Sequence, residues 1–157
     1  MNNIIRNQQL ESPARQSLAL KALAGGRSMK QESGKIRNFT DLNAWKEAHS
    51  LVLLVYKLTK KFPGTEQFGL TNQIRRAVVS ITSNIAEGFS RNSYKEKSQF
   101  YSMALGSLTE VQNQLLIAKD LEYITQDEFD KVADITIVVN KLLNGLIRRS
   151  KTMIHNS

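Results

Sequence analysis

The sequence contains no cysteine, and only two prolines and eight glycines among its 157 residues. Without cysteine there is no disulfide, thiolate metal site or cysteine nucleophile. So few prolines and glycines disfavour an all-β fold, which needs many turns. No run of roughly 18 apolar residues suggests a membrane span, and the N-terminus has no apolar stretch of signal-peptide quality. We therefore expect a cytoplasmic protein that has no membrane partner.

Histidine is scarce as well, with only His49 and His155. No histidine pair has the spacing that metal sites in helical bundles use, so we expect no metal and no cofactor. His49 falls within an apolar stripe of the first predicted helix. This position favours a hydrogen-bonded core or interface histidine over a metal ligand.

Positive charge is unevenly distributed along the chain. The net charge is +8, and residues 1–38 carry seven Lys and Arg against two Glu. This segment has no aromatic residue and is rich in Asn, Gln, Ser and Gly. We predict a basic, mostly disordered leader over residues 1–38 and a folded domain over residues 39–157. The leader favours a polyanionic partner such as nucleic acid, and a solubilising role is the alternative.

From Phe39 onward, apolar residues recur at spacings of three and four and predict four helices of about 20–25 residues each. The first, with Thr40 as its N-cap, carries two apolar stripes, which is typical of a central helix or of one shared with another subunit. Ser93-x-x-Glu96 and Thr125-x-x-Glu128 match capping boxes that begin the third and fourth helices. Because the connections are short, the fold class is all-α, an antiparallel up-down four-helix bundle.

Polar residues interrupt the second predicted helix. No histidine lies in register to relay a proton, so a site with Glu87 as general base is the weaker alternative. We interpret these polar residues of the second helix as a hydrogen-bonded network or a subunit interface. We therefore expect no catalytic residue and no enzymatic activity. Together with His49, the network or interface residues are Ser80, Asn84 and Glu87.

Arg75 and Arg76 lie near the start of the second predicted helix, where the helix dipole does not favour a positive charge. Positive charge in the first half of a helix is mildly unfavourable. We therefore expect Arg75 or Arg76 to pair with Glu66 or Glu87, or to reach outward to phosphate. The candidate nucleic-acid-binding residues are Arg75, Arg76, Arg91, Lys95 and Lys97.

Several motifs between Phe39 and Ile124 carry a family resemblance. They are Phe39-x-x-Leu42-x-x-Trp45, Phe68-Gly69-Leu70-x-x-Gln73-Ile74-Arg75-Arg76-Ala77, Asn84-Ile85-Ala86-Glu87-Gly88 and Gly106-Ser107-Leu108-x-Glu110. The chain resembles the bacterial four-helix-bundle proteins encoded in intervening sequences of 23S rRNA genes. The resemblance covers most of the folded domain and excludes residues 1–38.

The resemblance implies a ring-shaped homo-oligomer, a pentamer with a central channel. The fold is also similar to that of accessory proteins of diversity-generating retroelements, which partner reverse transcriptases and bind nucleic acid. The leading hypothesis is therefore a non-enzymatic homo-oligomer that binds RNA through a basic surface. The alternative is a protein-interaction scaffold or accessory subunit for a partner such as a reverse transcriptase or a ribosomal component.

Overall fold

The computed structural model describes residues 35–156, so nearly all of the predicted leader lies outside the described residues. Within this range the chain forms helices and no strand. The α-helices are α1 (Asn43–Leu58), α2 (Leu70–Ser90), α3 (Tyr94–Asp120) and α4 (Gln126–His155). Three short 3-10 helices cover Phe39–Asp41, Thr59–Lys61 and Gly64–Glu66.

Each α-helix packs against two neighbours, in the cyclic order α1, α2, α3, α4 and back to α1. Short connections make consecutive helices antiparallel. The predicted all-α four-helix bundle is confirmed. No helix within residues 35–156 is both long and apolar enough to cross a lipid bilayer.

The core takes one apolar stripe from each helix. In α1 this is the stripe that contains Leu51 and Val55, both fully buried. The other predicted stripe lies at the surface or is only half-buried, because the narrow bundle has room for one face of α1. His49 belongs to that outer stripe and is exposed in the single chain, so of the two predicted alternatives the core histidine is excluded and the interface histidine stays a prediction. Its ring stacks on Trp45, with the ring centroids 4.8 Å apart.

Both predicted capping boxes mark helix starts. The Thr125 hydroxyl accepts from the Glu128 backbone N–H, and the Glu128 carboxylate accepts from the Thr125 N–H. The Ser93 hydroxyl accepts from the Glu96 N–H at 3.2 Å. Thr40, the predicted N-cap of the first helix, instead lies inside the first 3-10 helix.

The helices differ in length more than expected, from 16 residues in α1 to 30 in α4. The first helix is short because a 3-10 turn follows Leu58, and Phe62 and Pro63 then take extended backbone angles. The residues after Pro63 form the connection that carries Phe68 to the start of α2.

Candidate functional site

A cleft of 620 Å³ lies between α1, the connection that precedes α2, and α2 itself. None of the residues that line it is acidic. Its cationic groups are two of the candidate residues named from the sequence, Arg75 and Arg76. The full lining is Tyr56, Gln67, Phe68, Thr71, Asn72, Arg75, Arg76, Val79, Ser80 and Ser83.

Arg75 is held in place by α1 and the 3-10 turn that follows it. Its Nε donates to Thr59 Oγ1 at 2.8 Å, and its guanidinium carbon lies 5.0 Å from the centroid of the Tyr56 ring. Such a cation–π contact stabilises the guanidinium. Of the two predicted alternatives for this arginine, the ion pair with Glu66 or Glu87 is not formed, and the contact with phosphate stays a prediction. The charge of Arg75 is fixed at the wall of the cleft.

Arg76 is exposed, and within residues 35–156 its guanidinium has no hydrogen-bond or ion-pair partner. It lines the first cleft and also a second one of 350 Å³ toward α3, which includes Glu110. The adjacent arginine, Arg75, is anchored to Thr59 and Tyr56. Arg76 is therefore a cation whose donors are available to an external anion.

Phe68 is the most exposed large apolar side chain of the described residues, at 90%. The sequence reasoning missed it, because it judged aromatic residues by their place in helical stripes and Phe68 lies outside any helix. A usable signal was present. Phe68 lies outside the predicted helical stripes, so no stripe position accounts for its burial.

The connection that presents Phe68 is braced by Glu66. Oε2 of this carboxylate accepts from the Leu70 N–H at 2.9 Å, at the start of α2. Oε1 accepts from the Tyr123 hydroxyl at 3.2 Å. Partial burial, and then the Glu66 charge, raise the pKa of Tyr123 above its ordinary value. Gly69 permits this arrangement, since a Cβ there would lie 2.6 Å from Glu66 Oε2.

The other three candidate cations lie at the turn between α2 and α3. Arg91 pairs with Glu87 and lies over the Phe100 ring, 4.7 Å from its centroid. Lys97 Nζ donates to the Phe89 carbonyl at 2.7 Å, and burial lowers the pKa of this lysine. These two residues close the end of α2, whereas Lys95 is exposed.

The structure thus separates the five candidate cations into two groups. Arg76 and Arg91 are separated by about 20 Å along the axis of α2, at 1.5 Å per residue. Arg75 and Arg76 share the cleft, and Arg91, Lys95 and Lys97 surround the opposite end of the helix. The sequence shows which residues are charged but not what each charged side chain contacts. The two groups of cations could therefore not be distinguished from the sequence.

Two of the predicted network residues hydrogen-bond to one another. Asn84 Nδ2 donates to Ser80 Oγ at 3.0 Å and to the Ser80 carbonyl at 2.8 Å. Ser107 of α3, which sequence reasoning missed, donates to Ser80 Oγ at 3.0 Å and links the two helices. Glu87 lies outside this network because it pairs with Arg91.

The described residues contain no group of three or more acidic, histidine or cysteine side chains that could hold a metal ion. The walls of the cleft carry aromatic rings, side-chain amides and guanidinium groups. Such groups can bind an anion and a flat ring; they do not form the nucleophile–base pair that covalent catalysis uses.

The family model of the 23S rRNA-intervening sequence proteins matches residues 40–145. The chain belongs to this family. The resemblance inferred from the sequence motifs is thereby confirmed. The match begins in the first 3-10 helix and ends within α4, so it includes the cleft and both groups of cations.

A solved structure shows the same fold. It is a protein of unknown function from the S23 ribosomal protein family of Bacteroides thetaiotaomicron, with 24% identity and a TM-score of 0.62. The alignment covers 66% of this chain and 97% of that one. No curated protein matches the chain. The likeness supports the architecture of this 23S rRNA-intervening sequence protein and carries no function.

Proposed function

We propose that this 23S rRNA-intervening sequence protein is a non-enzymatic homo-oligomer that binds RNA through the cleft between α1 and α2. The observation that carries the proposal is the guanidinium of Arg76, which has no partner among residues 35–156. It lies beside the fixed guanidinium of Arg75, in a cleft whose described lining has no acidic residue. The family name, which refers to 23S rRNA, supports RNA as the polyanion.

The binding energy is expected to come mainly from phosphate contacts. A guanidinium offers paired donors that match phosphate oxygens, and binding releases the counterions of the nucleic acid. The basic leader, residues 1–38, adds non-specific attraction in this proposal. Affinity should therefore fall steeply as salt is added.

Association of several copies is the second part of the proposal. Large apolar side chains remain exposed on several helices of the single chain, among them Leu53 at 60% and Ile137 at 50%. An apolar cleft of 330 Å³ between α3 and α4 is lined by Leu116 and Phe129. Such surfaces are typical of proteins that associate. The family resemblance suggests a ring of five.

A protein partner is the alternative use of the same apolar surface. In that case the oligomer or the single chain acts as a scaffold or accessory subunit for a protein such as a reverse transcriptase or a ribosomal component. The apolar cleft beside Leu116 favours this role, and the two basic groups are then solvated faces. Failure to bind RNA by a correctly folded protein would favour this alternative.

The test of RNA binding compares two arginine substitutions in the full-length protein. Fluorescence anisotropy measures affinity for a labelled 23S rRNA fragment between about 50 and 200 mM salt. We expect Arg76→Gln to weaken binding and to lower the slope of log affinity against log salt by about one. The control is Arg149→Gln in α4, which is equally exposed. Binding that Arg76→Gln leaves unchanged, or that does not depend on salt, would contradict the proposal.

A further inference from the structure

We infer that the cleft between α1 and α2 holds one unpaired nucleotide of RNA, with its base against Phe68 and its phosphate on Arg76. The inference rests on the proposed function, since it specifies which part of an RNA chain the protein binds. Phosphate contacts form with paired and unpaired RNA alike. The inference adds a stacking contact that requires an unpaired base.

Phe68 projects from a segment whose backbone is held by hydrogen bonds. Its ring is 90% exposed, although burial of a phenylalanine is normally favourable. The backbone on either side is held, because the Gly69 N–H donates to the Glu66 carbonyl at 3.0 Å and the Gln67 N–H donates to the Gly64 carbonyl at 3.2 Å. A backbone that is already ordered loses little entropy on binding, and base–aromatic stacking is tolerant of sequence.

The two arginines have complementary roles in this site. Arg75 is anchored through Nε only, so its terminal nitrogens still face no partner among residues 35–156. Arg76 has no anchor and can follow the position of a phosphate. A fixed guanidinium on the wall and a movable one at the edge suit a ligand with both a planar base and a charged backbone.

The remaining polar residues of the cleft can contact the edges of a base. Gln67 and Asn72 each supply an amide donor and acceptor, and Ser83 supplies a hydroxyl. The cleft volume of 620 Å³ falls in the range of about 300–1,000 Å³ that is usual for small-ligand sites. In a duplex both faces of a base are covered by its stacked neighbours, so only an unpaired nucleotide can use the Phe68 ring.

The experiment uses the full-length protein and two labelled RNAs, a short single-stranded oligoadenylate and a blunt-ended duplex of two fully complementary strands. Anisotropy gives the affinity of each for wild type, Phe68→Ala and Phe68→Trp. We expect Phe68→Ala to weaken oligoadenylate binding about 5- to 150-fold, the cost of one lost base stack. Phe68→Trp should retain affinity, and the salt slope of Phe68→Ala should equal that of wild type. Duplex binding should be the same for all three proteins.

A matched control is Leu121→Ala, which removes an exposed apolar side chain from the connection between α3 and α4, outside the cleft. It should leave both affinities unchanged. A second readout uses an oligonucleotide with abasic positions. Wild type should bind this oligonucleotide as weakly as Phe68→Ala binds oligoadenylate. Substitution at Phe68 should not weaken binding of the abasic chain further, because the contact is already absent.

The outcomes separate the inference from the proposed function. If wild type binds neither RNA, the proposed function fails and the inference with it. If wild type binds both RNAs in a salt-dependent way and Phe68→Ala matches wild type on oligoadenylate, the inference alone is wrong. If light scattering shows that Phe68→Ala changes the oligomeric state while RNA affinity stays the same, Phe68 is a subunit contact and the inference is overturned.

Discussion

Gly88 lets the last turns of α2 pack directly on α3. A Cβ at this position would lie 2.8 Å from Tyr101 Cε1 and 3.0 Å from Phe100 Cβ. Tyr101 is buried at 4% exposure, so its ring has little space to move. A glycine that costs helix stability in isolation is thus required by a neighbouring side chain.

We expect Gly88→Ala to lower the free energy of unfolding by about 1–3 kcal/mol, the usual cost of overpacking. The control is Gly106→Ala in α3, where nothing lies within 4 Å of the added methyl group. That variant should raise the free energy of unfolding by about 0.5–1 kcal/mol through helix propensity. Urea denaturation of both variants measures the difference. Two changes of the same sign would contradict the packing argument.

Individual side chains show where sequence reasoning stops. The sequence identified Lys97 and Arg76 as equivalent cations, because both are basic residues on predicted helices. The structure commits the Lys97 ammonium to the Phe89 carbonyl, at the end of a helix where carbonyls need donors. Arg76 has no such neighbour among the described residues. The difference depends on tertiary contacts that no spacing rule encodes.

At the scale of an element, the start of α4 combines a local cap with a distant contact. Glu128 accepts the Thr125 N–H at 3.1 Å and also pairs with Lys61, from the turn after α1. The Lys61 hydrogen bond, followed by the Thr125 N–H, holds the pKa of Glu128 below its ordinary value of 4.5. The carboxylate therefore stabilises the fold when it is ionised.

This pKa sets a direction for the pH dependence of stability. A lowered pKa in the folded state means that the stabilisation is complete above pH 4.5 and is lost as the pH falls through the folded-state pKa. We expect Glu128→Gln to cost about 1 kcal/mol at neutral pH, the size of a typical cap. Its melting temperature should approach that of wild type in acid.

The control for Glu128→Gln is Asp127→Asn, an exposed acidic residue in the same first turn of α4. Asp127→Asn removes a charge that interacts with the helix dipole and leaves the cap and the ion pair of Glu128 in place. We expect it to lower the free energy of unfolding by less than Glu128→Gln does. Thermal melts across the acid range measure both variants. Parallel curves for wild type and Glu128→Gln at every pH would show that this carboxylate does not contribute as described.

Local signals explain which elements were predictable. The starts of α3 and α4 follow from capping sequences that span four residues, and both were predicted correctly. The start of α1 was not, since Asn38 and Asp41 cap a 3-10 helix and Leu42 provides no side-chain cap. Lys61 and Glu128 are 67 residues apart, so their contact required the fold.

At the scale of the whole molecule, four amphipathic stripes were enough to predict the bundle, because each helix must bury one apolar face. The outer stripe of α1 does not enter the core of the single chain, and its place in a subunit interface stays a prediction. The four stripes could not say whether Leu53 or Ile137 meets a second copy, since exposure in one chain is compatible with either outcome.

We expect the purified, nuclease-treated protein to scatter light as about five times the 17.7 kDa mass of the chain. Before nuclease treatment, absorbance at 260 nm should reveal nucleic acid that high salt removes. The variant Arg76→Gln serves as a control, since it should retain less nucleic acid than wild type and keep the same oligomeric mass. A monomer free of nucleic acid would remove both the ring and the RNA-binding proposal.

The contacts of Tyr123 have a consequence for how the bundle opens. Tyr123 donates to Glu66 and packs its ring 5.4 Å from that of Phe62, and Lys61 pairs with Glu128 at the same end. At the opposite end the last residues of α4, from Lys151 to Asn156, are all exposed. Amide hydrogen exchange should therefore be graded along α4. We expect the exposed C-terminal turns to exchange faster than the middle turns of α4, whose hydrogen bonds lie beside the core.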